Sequence, residues 1–128
     1  MKLLLDTCAF LWIVTGDASL SSTARKLFSN PANDVFLSSV SACEIALKHS
    51  IGKLPLPRSP QELVPDERQR HEIQPLPLDE TAALFSAKLP DLHKDPFDRM
   101  LICQAITGNL TLLTPDPLIK QYAVATAW

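Results

Sequence analysis

Glycine is scarce in this chain. There are three among 128 residues, and none falls in a G-x-G-x-x-G arrangement. That excludes the tight phosphate-binding turn of dinucleotide-binding domains. Histidine and cysteine are as sparse, with three of each. Cys8, Cys43 and Cys103 lie far apart, odd in number and without C-x-x-C spacing. Neither a zinc ribbon nor a disulfide framework can be built from them. They read as small buried hydrophobes in a reducing compartment, the cytoplasm. No Ser-His-Asp or Cys-His set for nucleophilic catalysis is evident.

Long apolar runs are missing too. The opening MKLLLDTCAFLWIV is interrupted by Asp6, and Cys8–Val14 is too short to cross a bilayer. The expectation is neither a signal peptide nor a membrane span. Nor is there a large excess of one charge. The formal net charge of −2 neither marks nor excludes nucleic acid as a partner. What the chain does have is 46% hydrophobic residues, which excludes global disorder. Its length suits one domain, residues 1–128, around a real core.

Short apolar runs alternate with helical patterns. Lys2–Leu5 reads as a buried strand, followed by a helix over Thr7–Val14 that breaks at Gly16 and Asp17. SLSSTARKLFSN offers serine caps and a second helix. Val35–Ser38 is the next strand and leads into the helix VSACEIALKHSIG. SPQELVPDERQR gives Ser59 as cap, Pro60 at the first helical position and Glu62 for a capping box. Pro65 predicts that this helix is short or broken. HEIQPLPL reads as an edge strand, and Asp79 caps a helix over Thr81–Lys88. DPFDRMLICQA opens a helix that Gly108-Asn109 ends. Leu110–Thr114 and Val124–Thr126 complete the strands, with a helical turn over Leu118–Tyr122 between them. Strands alternating with helices predict an α/β fold, with a mostly parallel central sheet flanked by helices.

Each acid has an ordinary explanation when taken alone. Asp95 before Pro96 is a natural N-cap, and Asp98 falls where the helix dipole welcomes a carboxylate. Glu44, three residues after Ser41, makes a capping box. Asp6 and Asp116 follow strands and suit caps. Their positions together say more. In a parallel α/β sheet the strand carboxyl ends and the following helix starts share one edge, where ligands bind. Asp6, Glu44, Asp98 and Asp116 can meet there. Caps alone would not require four acids, since serine, threonine and asparagine also cap. Like charges a few ångströms apart destabilise one another, and a divalent cation removes that cost. An all-oxygen set favours Mg²⁺ or Mn²⁺ over zinc. His93 reads as a solvated neighbour of such a site. Arg99 is expected to pair with an acid or reach a phosphate. Lys48, one turn beyond Glu44, is a candidate phosphate contact, or else an i,i+4 partner of Glu44. Phe10, Leu11, Trp12 and Ile13 are consecutive, so they form either a helix buried on most sides or a partner surface.

The stretches LLLDT, SACEIALKHSIGKLPL, PLPLDETAALFSAKLP, DPFDRMLICQA and LLTPD together resemble the PIN-domain nucleases. More narrowly they resemble the VapC-type toxins of bacterial and archaeal toxin–antitoxin pairs. The likeness runs over nearly the whole chain, and DPFDR and EIALKHSIGKL are its specific parts. By that resemblance Asp6, Glu44, Asp98 and Asp116 match the acidic quartet that holds the metal and carries catalysis. Thr7 and Thr114 match small polar residues beside it, and Cys43 stands where relatives often carry a bulkier aromatic. The resemblance implies a PIN-like fold and Mg²⁺- or Mn²⁺-dependent endoribonuclease activity. It also implies an RNA substrate such as transfer RNA, a homodimer, and a cognate antitoxin that covers the active site. Three other readings compete. A Mg²⁺-binding phospho-acceptor receiver domain would want an adjacent acidic pair near the first strand and a lysine after a late strand, and neither is clear. A phosphatase built on D-x-D lacks its second acid, because Asp6 is followed by Thr7 and Cys8. A non-catalytic interaction protein remains if the acids are caps.

Overall fold

The short apolar runs fold as strands of one sheet in the computed structural model, which describes residues 1–128. In chain order the elements are β1 (Lys2–Leu5), α1 (Thr7–Thr15), α2 (Ser22–Ser29), β2 (Asp34–Ser38), α3 (Ser39–Ser50) and α4 (Pro60–Arg70). Then come β3 (Gln74–Leu76), α5 (Glu80–Phe85), α6 (Pro96–Thr107), β4 (Thr111–Leu113) and β5 (Thr126–Ala127). Single 3-10 turns cover Ser86–Lys88 and Ile119–Gln121. The strand order is β3-β2-β1-β4-β5, and every pairing is parallel.

Side-chain alternation along the central strands divides the core in two. Leu4 pairs in register with Leu112, and both face a core completed by α6 through Leu101, Ile102 and Ala105. Leu5 pairs with Leu113, and both face the other core, with Leu3, Val35 and Leu37. There α1 supplies Phe10 and Ile13, and α4 supplies Leu63 and Val64. Burying a side chain of this size stabilises the fold by about 1.5–3 kcal/mol. A sheet covered on both faces leaves its carboxyl edge as the open place for polar groups.

Phe10 and Ile13 are buried, while Leu11 and Trp12 are half-buried against the same core. Trp12 also packs against Trp128, with ring centroids 5.7 Å apart and the planes tilted by 58°. The apolar run of α1 is therefore spent largely inside the chain. Gly16 closes α1 with φ 68°, a conformation that costs a glycine little.

Five local expectations are corrected. Pro65 does not break α4, which runs unbroken for 11 residues. The carbonyl that Pro65 cannot serve belongs to exposed Gln61, and buried Leu63 and Val64 anchor the helix. Ser59 stands at its N-cap position without a side-chain bond. The helix expected over Thr81–Lys88 starts one residue earlier and tightens into a 3-10 turn after Phe85. The Ser41–Glu44 capping box does not form, because α3 starts directly from β2 with Ser38 as its cap, accepting from Val40 N at 2.9 Å. Cys103 is buried as expected, but Cys43 is exposed.

Candidate metal centre

Asp6 follows β1, Glu44 lies in the second turn of α3, Asp98 in the first turn of α6, and Asp116 just beyond β4. All four line one cavity of about 400 Å³ at the carboxyl edge of the sheet. Asp95, Lys48 and Lys53 also line it. A larger cavity of about 510 Å³ lies near Ser86, Lys94 and Met100 and holds a single acid, Asp91, so size does not single out the site.

Local structure decides which carboxylates are free. Asp6 occupies the N-cap position of α1 without capping it. Its Oδ2 instead accepts from Thr114 Oγ1 at 2.6 Å, and the Cys8 thiol lies at 3.6 Å. Burial pushes the Asp6 carboxyl above its usual range; Thr114 opposes the shift, and the charge of Glu44 adds to it. Asp95 does the capping at α6, with Oδ1 accepting from Phe97 N at 2.8 Å and Asp98 N at 3.2 Å. Asp98 is thereby left without a capping duty. Burial, then the negative charges of Asp6 and Asp95, push its carboxyl up to about 7. Asp116 caps its own turn through Oδ1, which accepts from Leu118 N at 2.8 Å, while its N–H donates to Thr114 Oγ1 at 3.1 Å. Thr7 lines the same pocket and donates to Ser41 Oγ at 2.9 Å, tying α1 to α3. Glu44 is buried; its Oε2 accepts from Lys48, and its Oε1 has no partner at all.

Arg99 and His93 stand differently from expectation, and Lys48 takes the second of its two expected roles. Lys48 takes the i,i+4 pairing with Glu44, and that hydrogen bond raises its pKa. Arg99 neither pairs with an acid nor faces the cavity. Its Nη1 donates to the carbonyls of Pro90 (3.0 Å) and His93 (3.3 Å), and its Nη2 to that of Ser86 (3.1 Å). The loop ahead of α6 folds back and meets both terminal nitrogens of the guanidinium with carbonyl oxygens. His93 is buried rather than solvated, with Nε2 3.0 Å from Asp98 Oδ2 and 3.1 Å from Asp116 Oδ2. The available signal was its place two residues before the capping Asp95, in the loop that must turn into α6. Gln104 also went unnoticed: it is buried, accepts from Ser38 Oγ at 2.5 Å and donates to Pro77 O at 3.2 Å, linking α6 to the start of α3. A lone amide on an apolar helix face was its only trace.

The residues present fit a hard divalent cation. The donors are carboxylate oxygens from separate segments, two of them held above their ordinary pKa by burial and by neighbouring carboxylates. The buried and unpartnered Glu44 Oε1 is a lone acceptor in want of a positive group.

Fold and site together define a parallel α/β domain with an acid-lined pocket at its carboxyl edge. The chain belongs to the PIN domain family, whose model matches residues 3–125. It is 36% identical over 62 residues to Ribonuclease VapC16 of Mycobacterium tuberculosis, a match covering 48% of this chain and 44% of that protein. The matched stretch is thus less than half of that relative. Among solved structures, VapBC2 from Rickettsia felis bound to a promoter DNA fragment aligns with a TM-score of 0.75 and 17% identity, covering 100% of this chain and 99% of that one. DNA-bound VapBC from Salmonella typhimurium gives 0.73 and 17%, covering 99% and 97%. VapBC-5 from Mycobacterium tuberculosis, a member of the VapBC family of toxin–antitoxin systems, gives 0.56 and 16%, covering 98% and 95%. At these identities the structural likeness is one of fold.

Proposed function

We propose that the chain is a divalent-cation-dependent endoribonuclease and the toxin of a toxin–antitoxin pair. One observation carries this reading: four carboxylates from four segments line one pocket, and a buried oxygen among them has no partner. Family membership and the likeness to a ribonuclease supply the reaction class, hydrolysis of RNA phosphodiesters.

Asp6, Glu44, Asp98 and Asp116 would hold Mg²⁺ or Mn²⁺. A cation bound there would make a water more acidic and offset charge developing on the phosphate oxygens. The surrounding residues prepare the site. Thr114 orients Asp6 and steadies Asp116. Asp95 satisfies the start of α6, so that Asp98 serves the pocket. Lys48 and Lys53 place positive charge on the pocket wall, where a phosphate backbone would run. RNA is the proposed substrate, with transfer RNA the first to test. The proposed partners are a cognate antitoxin and a second copy of the chain. The proposed compartment is the cytoplasm; no helix is long and apolar enough to cross a membrane.

Incubation with total RNA tests the reading. Cleavage is expected with Mn²⁺ or Mg²⁺, abolished by chelator and restored by excess metal. Undiminished cleavage in chelator rejects the metal-dependent mechanism.

A further inference from the structure

We propose that His93 is a positioning residue, which bridges Asp98 and Asp116 through one Nε2–H and does not itself bind the cation. The inference rests on the nuclease reading of the pocket. By distance alone the opposite assignment is open, since ligand atoms of His93, Asp98 and Asp116 all lie within 4.8 Å of one another. A His-Asp-Asp triad of that size could hold a metal ion.

The other ring nitrogen decides between the two. His93 Nδ1 accepts the backbone N–H of Asp95 at 3.2 Å. A neutral imidazole has one lone pair and one N–H. With the lone pair turned to the Asp95 N–H, the proton sits on Nε2, between the two carboxylate oxygens at 3.0 and 3.1 Å. A histidine that ligates metal through Nε2 donates its Nδ1–H to an acceptor. Here Nδ1 meets a donor.

The backbone that carries the ring is also held. Tyr122 Oη accepts from Leu92 N at 3.1 Å and His93 N at 2.8 Å, and donates to Pro90 O at 2.8 Å. Arg99 holds the His93 carbonyl. The residue is buried, and turning the ring would leave the Asp95 N–H without its Nδ1 partner. Set this way, the Nε2–H pins two like charges at a fixed spacing and offsets part of their repulsion. The carboxylates are thus presented together before a cation arrives.

Long-range ¹H–¹⁵N spectra of the histidines, recorded with and without diamagnetic Mg²⁺, test the tautomer directly. His93 is expected as Nε2–H in both. A proton on Nδ1, or loss of the Nε2 proton when Mg²⁺ is added, overturns the proposal. In parallel, Mn²⁺ is titrated calorimetrically into wild type, His93→Gln and His93→Ala, each checked for fold. His93→Ala is expected to bind about 10- to 100-fold more weakly, and His93→Gln, which keeps an N–H donor, to recover part of that loss. Wild-type affinity in His93→Ala overturns the positioning role. If that variant does not fold, the spectra of the intact protein decide alone. A wild type that neither binds Mn²⁺ nor cleaves RNA sinks the nuclease reading instead, and the two failures are distinguishable.

Discussion

A buried and a half-buried glutamate on neighbouring helices show what sets the pocket apart. Glu67 on α4 and Glu44 on α3 have side chains 13% and 8% exposed, and each has an oxygen without a hydrogen bond. Around Glu67 stand Arg58 at 3.8 Å, Arg70 at 3.7 Å and His71 at 3.4 Å. Around Glu44 stand Lys48, which pairs with it, Lys53 on the pocket wall, and the acids Asp6, Asp95, Asp98 and Asp116. The first cluster is compensated by its own side chains, whereas the second is left with an excess of negative charge. Burial of an acid is therefore not the mark of the site. Burial without compensation is.

The largest expected effect is at Asp98. Asp98→Asn should keep the fold and lose at least about 100-fold in RNA cleavage, beyond what residues merely supporting a metal ligand usually cost. Normal turnover by the folded variant would reduce Asp98 to an ornament of the helix start. Glu67→Gln sharpens the contrast: cleavage should stay within about two-fold of wild type, and stability should change by about 1 kcal/mol or less.

The pH dependence of the metal-free protein should carry the same signature. The Asp98 carboxyl is raised from 3.8 to about 7 in the folded chain. Its contribution to stability is complete below the unfolded value and is lost as pH rises through about 7. In chelator the Tm should therefore be higher near pH 5 than near pH 8, and Asp98→Asn should flatten the difference. Added Mn²⁺ should raise the Tm more at pH 8, where it does not compete with that proton. A Tm in chelator that climbs from pH 5 to pH 8 would count against an uncompensated cluster.

Smaller effects separate residues that look alike in sequence. Arg99→Lys should lower stability by about 1.5–3 kcal/mol in chemical denaturation, because an ammonium cannot serve the carbonyls that the guanidinium fork reaches. Asp95→Asn should cost less activity than Asp98→Asn, since asparagine caps as well as aspartate. Equal losses would mean that the two roles are divided wrongly.

Much of this was legible in the chain. The strands announced themselves as short apolar runs, and the two faces of β1 follow from Leu3, Leu4 and Leu5 in succession. That Asp95 caps while Asp98 does not was readable from the proline between them. The rest depended on distant partners. His93 is buried because Tyr122, from the far end of the chain, holds its backbone. Arg99 is consumed by a loop whose path no local pattern fixes. Glu44 escapes the capping role because Ser38 takes it first, a competition settled by where β2 stops.

The central claim is that one cation completes the pocket shared by Asp6, Glu44, Asp98 and Asp116. Anomalous diffraction from crystals soaked in Mn²⁺ tests it most directly. The account predicts a peak within the pocket, in contact with these carboxylates, and its disappearance in Asp98→Asn. A pocket without a peak in wild-type crystals, or Mn²⁺ bound only elsewhere, would contradict it.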